Sequence, residues 1–262
     1  MADQASVAAP GKDSMRETVS SGEWDIRVEL AACYRLMAHF GLTDLIYNHI
    51  TARVPGDEDH FLINPYGLLY EEVTASSLHK IDTSGNIVLR GHADLNVNPA
   101  GFVIHSAVHM GRDDAGCVIH THSRAATAVS AMKCGILPIS QSAMMFFEQV
   151  SYHPFEGAAV NLEERQRLVS DLGSNDVMIL HNHGTLMVGR SVRHAFLMAY
   201  QFENACRIQV DTMSAADIIL APRETSIQVR EAARDPRYAN DLSLEWNAML
   251  RLLDRVHPNY AN

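Results

Sequence analysis

The sequence predicts one α/β domain with a mixed, largely antiparallel central sheet flanked by helices. Segments with helical periodicity alternate with short apolar runs that are bounded by turn residues, and neither an internal repeat nor a Pro/Gly/Ser-rich linker divides the chain. We expect a flexible tail over residues 1–20 and the domain itself over residues 21–215. Residues 216–262 are expected to form a C-terminal helical arm that contacts another subunit around Trp246 and Leu252.

The first part of the domain is predicted to be a helix followed by antiparallel strands. Ser20 and Glu23 form a capping-box pattern, apolar residues follow at helical spacing, and Gly41 ends the helix. Alternating polar and apolar residues after Gly41 are typical of half-buried strands. The predicted strands are Ile46–Arg53, Phe61–Ile63 and a hairpin within Leu78–Leu89, with a polar loop over Pro55–His60.

Helices and strands alternate in the rest of the chain. Helices are predicted over Phe102–Met110, over Ser123–Lys133, from the capping pair Asn161 and Glu164 to about Leu172, and from Ser191 to about Met213. Strands are predicted over Gly116–His122, Ile136–Ser140 and Val177–Leu180. A last amphipathic helix carries Leu242, Trp246, Met249, Leu252 and Leu253.

Composition excludes several classes of protein. The 31 acidic and 21 basic residues give a net charge of −10, the opposite of what a phosphate-backbone binder needs. Apolar runs stay far below the ~20 residues of a membrane span. We therefore expect neither a nucleic-acid nor a membrane partner. The four cysteines, which lack paired spacing, are expected to be reduced core thiols of a cytoplasmic protein. They are Cys33, Cys117, Cys134 and Cys206.

Histidines cluster at the ends of two predicted strands. His120 and His122 are two residues apart and therefore share one face of their strand. His181 and His183 follow the second strand and are expected to share a face as well, while Gly184 allows a tight turn. Two such imidazoles with a third from a distant strand form a three-nitrogen metal site with an open coordination position. Core histidines satisfied by backbone carbonyls are the alternative.

Other ionisable residues are expected to have structural roles. Seven histidines outside the two clusters are interpreted as helix-face or surface residues with satisfied nitrogens. They are His39, His79, His92, His105, His109, His153 and His194. Glu203, within the long helix, is expected to be a satisfied core or interface carboxylate.

Several stretches, in this order and spacing, resemble the class II aldolase/adducin head family. The stretches are Asn48–Arg53, Ile63–Gly67 with Tyr70-Glu71, Ile104-His105, Val118–His122, Thr127–Ser130 and His181–Gly184. The family includes fuculose-phosphate and rhamnulose-phosphate aldolases, ribulose-phosphate 4-epimerases and the adducin head domain. The resemblance extends from about Arg27 to Met213.

The resemblance implies a fuculose-phosphate aldolase-like fold and a metal site. Its ligands would be His120, His122 and His183. Three imidazoles favour Zn²⁺, with Mn²⁺, Co²⁺ and Fe²⁺ as alternatives. The resemblance also implies a homo-oligomer, a tetramer in this family, that acts on a small-molecule substrate at subunit boundaries.

The sequence departs from the phosphate-sugar aldolases where they bind and deprotonate substrate. Gly101 stands in place of their catalytic glutamate, and glycine cannot transfer a proton. Pro99-Ala100 replaces their phosphate-binding serines, and the residue matching their catalytic tyrosine lies near Ser142. The nearest cation to the altered loops is Arg53. A sugar phosphate is therefore disfavoured as substrate.

The resemblance to the phosphate-sugar aldolases also gives candidate site residues. The altered phosphate loops provide candidate substrate-binding residues, and Tyr70 is a further candidate for lining an apolar pocket. The substrate-binding candidates are Asn48, His49, Tyr66 and Gly67. The candidates for proton transfer are His181, Glu148 and Tyr152.

The predicted function is a divalent-metal-dependent C–C lyase, either an aldehyde-lyase or a carboxy-lyase. It would act on a non-phosphorylated hydroxy- or oxo-acid or carbonyl compound, aromatic ones included, through a metal-stabilised enolate. Retro-aldol cleavage and decarboxylation both pass through that anion, and decarboxylation tolerates the missing glutamate better. Two alternatives stay open: a metal-dependent isomerase, epimerase or dehydratase, and a non-catalytic adducin-like assembly module.

Overall fold

An eight-stranded sheet organises the protein, as seen in a computed structural model that describes residues 14–157, 164–215, 217–236 and 242–262. Its strands are β1 (His49–Val54), β2 (Asp57–Ile63), β3 (His79–Asp82), β4 (Ile87–Leu89), β5 (Cys117–Thr121), β6 (Val150–His153), β7 (Val177–Leu180) and β8 (Gly184–Gly189). They lie in the order β4-β3-β2-β1-β5-β8-β7-β6. Strands β6 and β7 are parallel, whereas the other described pairs are antiparallel. The predicted fold class is confirmed.

Helices cover both faces of this sheet. They are α1 (Ser14–Thr18), α2 (Ser21–His39), α3 (Pro99–Gly111), α4 (Arg124–Ser130), α5 (Gln141–Met144), α6 (Glu164–Leu172), α7 (Val192–Thr212), α8 (Arg223–Arg234) and α9 (Ser243–Val256), with 3₁₀ turns at Tyr70–Glu72 and Pro258–Ala261. The hydroxyl of Ser20 accepts the Glu23 N–H at 3.1 Å, as the capping pattern predicts. Asn161, the other half of a predicted cap, lies outside the described residues. Within the described ranges, no helix has the length and hydropathy needed to cross a membrane.

Strand alternation divides the core into two layers. On β5, Cys117 and Ile119 join the large cluster formed with α2 and α7, while Val118 joins a second cluster with residues of α3 and α6. On β1, Ile50 belongs to the first cluster. Because side chains alternate along a strand, the odd-numbered positions of β1 and the even-numbered positions of β5 face α3. This alternation selects the side chains that meet between the sheet and α3.

The two ends of the chain pack onto this domain. Met15 is fully buried within α1, so the prediction of a flexible tail is wrong for residues 14–18, while residues 1–13 lie outside the described part. The helical prediction for the C-terminal arm is confirmed by α8 and α9. Trp246 packs against Phe196 at 6.0 Å between ring centroids, and Leu253 is fully buried. These side chains stabilise their own subunit, and a subunit contact by the rest of the arm stays a prediction.

Several local predictions are wrong. Residues 136–140 form no strand, because the Leu137 N–H donates to the Gln209 side chain at 2.7 Å and not to a neighbouring strand. The predicted loop over Pro55–His60 shrinks to a two-residue turn, since β2 already begins at Asp57. Strands β6 and β8 and the short helices α1 and α5 were not predicted. Cys134 is exposed, whereas the other three cysteines are buried, and all four are unpaired.

Candidate metal centre

Three histidines converge at one end of the sheet. His120 lies on β5, His122 just beyond it, and His183 in the turn between β7 and β8. One nitrogen from each lies within 4.8 Å of the others. The grouping predicted from the sequence is therefore present, with His120 buried and the other two half-buried. Gly184 allows the close approach, because a Cβ there would lie 2.5 Å from the Thr121 carbonyl oxygen and 3.1 Å from the His122 ring.

Hydrogen bonds outside the cluster orient two of the imidazoles. His120 Nδ1–H donates to the Thr185 carbonyl at 3.0 Å. His122 Nδ1–H donates to the Asp44 carboxylate at 3.1 Å. In a neutral imidazole only one nitrogen carries hydrogen, so both rings present the lone pair of Nε2 to the cluster. Partners of this kind are typical of metal-ligating histidines.

The geometry fits a divalent cation. Nε2 of His120 and Nε2 of His122 lie 2.9 Å apart, and two lone pairs at that distance repel one another unless a proton or a cation lies between them. Ligand nitrogens around a tetrahedral Zn²⁺ are separated by about 3.3 Å, which falls between this distance and the 4.8 Å that spans the cluster. Small adjustments of the rings would therefore create a three-nitrogen site.

Burial keeps His120 and His183 neutral. Desolvation lowers the pKa of His120 well below its ordinary value, and the neighbouring histidines lower it further. The pKa of His183 falls to about 4, mainly through burial and secondarily through His122. Neutral imidazoles are the form that binds a metal, so His120 and His183 can act as ligands near neutral pH.

His49 lies beside the cluster in the volume left free by Gly101. Its ring centroid is 5.1 Å from that of His120, and its Cα pairs with that of His120 across β1 and β5. A Cβ on Gly101 would lie 2.5 Å from His49 Cδ2 and 2.7 Å from Nε2. An imidazole from β1 thus occupies the space into which a side chain at residue 101 would extend.

The other predicted substrate-binding residues lie next to the ends of β1 and β2. Asn48 is buried; its Oδ1 accepts the Asp44 N–H at 2.6 Å, while its Nδ2 has no partner within the described residues. Tyr66 and Gly67 follow β2, and the Tyr66 N–H donates to the Asn96 carbonyl at 2.7 Å. Tyr70 packs in the main core against Tyr34 and is 1% exposed, so its predicted role in lining a pocket is wrong.

The predicted proton-transfer residues contact groups other than the three clustered histidines. Asn182, with φ of +55°, places His181 in a turn, so the prediction that His181 and His183 share a strand face is wrong. His181 donates to the Ser130 carbonyl at 3.0 Å and stacks on Tyr152. Glu148 pairs with Arg223 at 2.8 Å on the surface. Their catalytic roles stay predictions.

The sequence interpretation missed the supporting residues. Asp44, the partner of His122, belongs to no recognised sequence motif. The partner of His120 is the Thr185 backbone carbonyl, which can be identified only from the fold. His105 and His109 lie on one face of α3 and their ring nitrogens have hydrogen-bond partners, as predicted, but the sequence did not show which partners these are. Glu203 agrees with expectation: it is 3% exposed and accepts hydrogen bonds from the Ser123 hydroxyl and the N-terminus of α4.

Fold and site together define an α/β domain with a histidine centre, and similarity to known proteins places it in a family. The family model described as "Class II Aldolase and Adducin N-terminal domain" matches residues 28–210. The chain belongs to this family, as the sequence resemblance implied.

Relatives include both branches of the family. A protein of Caulobacter vibrioides whose name refers to aldolase class 2 is 46% identical over 95% of this chain and 96% of its own length. Rat alpha-adducin is 44% identical over 94% of this chain, which matches 35% of the adducin. The crystal structure of an aldolase II superfamily protein from Pseudomonas syringae has a TM-score of 0.89 and 48% identity, covering 95% of this chain and all of that one.

Proposed function

We propose that this protein is a divalent-metal-dependent C–C lyase of a non-phosphorylated hydroxy- or oxo-acid or related carbonyl compound. The convergence of His120, His122 and His183, with Nε2 of two of them held free of hydrogen, is the observation that carries the proposal. When bound, a divalent ion, with Zn²⁺ as the first candidate, supplies Lewis acidity toward substrate oxygens. Class II aldolase relatives and the three-imidazole donor set support this assignment.

The residues around the centre support substrate binding without a phosphate. The Arg53 guanidinium donates to the His109 carbonyl at 2.7 Å, so this nearby cation is committed to the backbone. The buried amide nitrogen of Asn48 is available to donate to a substrate oxygen. His49 is the group best placed to accept a proton from a substrate hydroxyl, the role that residue 101 cannot fill. Retro-aldol cleavage and decarboxylation are both included in the proposal.

The test begins with elemental analysis of the purified full chain. We expect about one divalent ion per chain in the wild type and in His39→Ala, which removes an exposed histidine, and loss of the ion in His120→Ala and His183→Ala. A screen of hydroxy- and oxo-acids then assays released aldehyde and carbon dioxide separately. A wild type that holds no metal and cannot be reconstituted with Zn²⁺, Mn²⁺, Co²⁺ or Fe²⁺ would refute the proposal.

An adducin-like assembly module is the second candidate. The 44% identity to rat alpha-adducin over nearly the whole chain favours it. The substrate screen separates the two functions, because an assembly module would turn over none of the hydroxy- and oxo-acids. We propose a homo-oligomer in either case, and a cytoplasmic location in keeping with the four unpaired cysteines.

A further inference from the structure

A buried chain of hydrogen bonds runs from the metal centre into the space between β1 and α3. His49 Nδ1 lies 2.8 Å from His105 Nε2. His105 Nδ1 lies 2.7 Å from the hydroxyl of Thr51, and that hydroxyl lies 2.7 Å from His109 Nε2. His109 Nδ1 ends the chain 3.0 Å from the Ala115 carbonyl oxygen. All four side chains are at most 3% exposed.

The far end of the chain fixes the direction of every hydrogen bond. A carbonyl oxygen only accepts, so His109 carries its hydrogen on Nδ1. Its Nε2 is then an acceptor, and the Thr51 hydroxyl donates to it. That hydroxyl therefore accepts from His105 Nδ1–H, which leaves His105 Nε2 as the acceptor of His49 Nδ1–H. The reverse direction would place the bare His109 Nδ1 against the carbonyl oxygen.

Burial excludes a second proton on His109 or His105, which would change these hydrogen-bond directions. The pKa of His109 is lowered to about 3 by desolvation and by the nearby Arg53. Desolvation also lowers the pKa of His105 well below its ordinary value, and the neighbouring His49 and His109 contribute to the shift. Each ring is therefore neutral near pH 7 and carries one hydrogen.

We infer that Thr51, His105 and His109 are positioning residues that hold His49 in the tautomer with an unprotonated Nε2 beside the histidine cluster. His49 Nε2 makes no hydrogen bond to any of the described residues, so its lone pair is available to a substrate hydroxyl. The inference rests on the proposed function for the use of this lone pair. The tautomer itself follows from the hydrogen bonds of these buried, neutral rings and not from the proposed function.

Solid-state ¹⁵N NMR of the full chain labelled at histidine, recorded before metal is added, tests the inference. His49→Gln identifies the His49 signals by their disappearance. We expect wild-type His49 to show hydrogen on Nδ1 and a bare Nε2. Thr51→Val replaces the hydroxyl with a methyl group of similar size, so the Nε2–H form of His49 should become detectable, and Thr51→Ser should restore the wild-type spectrum.

Two outcomes would overturn the inference: hydrogen on Nε2 of His49 in the wild type, or an unchanged His49 tautomer in folded Thr51→Val. If Thr51→Val does not fold, the wild-type spectrum alone still tests the assigned tautomer of His49. Because the measurement uses neither metal nor substrate, it is independent of the metal analysis and the substrate screen. A failed lyase assay would therefore leave the tautomer result intact.

Discussion

Asp44 offers a direct test of how the centre is supported. It lies between α2 and β1, and its carboxylate accepts from His122 Nδ1–H at 3.1 Å. Replacing such a partner of a metal-ligating histidine costs 10- to 100-fold in metal affinity, roughly 1.4–2.7 kcal/mol. The Asp44 side chain is 45% exposed, so water screens the interaction. We therefore expect Asp44→Asn to weaken Zn²⁺ binding by about tenfold.

Competition titration of Zn²⁺ against a chromophoric chelator measures this change. Asp94→Asn is the matched control, because Asp94 carries the same charge on an almost fully exposed side chain near Arg90. The backbone N–H of Asp44 keeps its hydrogen bond to Asn48 in the variant, so the loop itself should stay in place. Equal Zn²⁺ affinities for Asp44→Asn and the wild type would refute the assignment of His122 as a ligand oriented by Asp44.

Three further predictions concern stability, each measured by urea unfolding. Glu203→Gln should lower the free energy of unfolding by about 3 kcal/mol, since the buried carboxylate accepts from Ser123 and α4, whereas exposed Glu245→Gln should change little. Gly184→Ala should lower the free energy of unfolding by about 1–3 kcal/mol, because the new Cβ would lie 2.5 Å from the Thr121 carbonyl oxygen. Gly22→Ala is the control: its nearest neighbour would lie 3.8 Å from the new Cβ, so the change should be neutral or stabilising. Burial lowers the pKa of His79 to about 4 from 6.5, so the stability that this neutral ring contributes is complete above pH 6.5 and is lost as the pH falls toward 4. At pH 5 the loss should reach up to about 2 kcal/mol, and His79→Gln should reduce it; an unchanged pH dependence in that variant would contradict the reasoning.

Local signals predicted the long elements, and together with the family resemblance they predicted the grouping of three histidines. Ser20 and Ser191 each cap a long helix as expected, since a cap acts within one turn of the chain. The bounds of β7 match the predicted Val177–Leu180. His120 and His122 share a face because a strand fixes their spacing, and the family resemblance selected His183 over His181. These inferences depend on short-range geometry or on the family pattern.

The failures arise where tertiary contacts decide the conformation. Strand alternation predicted a shared face for His181 and His183, but the β7–β8 turn passes through Asn182 at φ +55°. The segment at 136–140 has a strand-like pattern, yet a Gln209 side chain from α7 satisfies its backbone. Only the fold shows that Asp44 accepts a hydrogen bond from His122. Sequence periodicity carries no information about such partners.

Competition between His49 and residue 101 for one volume predicts a non-additive mutant cycle. In the wild type, Gly101→Ala should lower the free energy of unfolding by about 1–3 kcal/mol, because its Cβ would lie 2.5 Å from His49 Cδ2. In a His49→Ala background the clash is absent, and the same change should stabilise α3 by up to about 1 kcal/mol through the helix propensity of alanine. Equal effects of Gly101→Ala in both backgrounds would show that the two positions do not compete. A change of sign would mean that this volume holds either an imidazole from β1 or a side chain from α3.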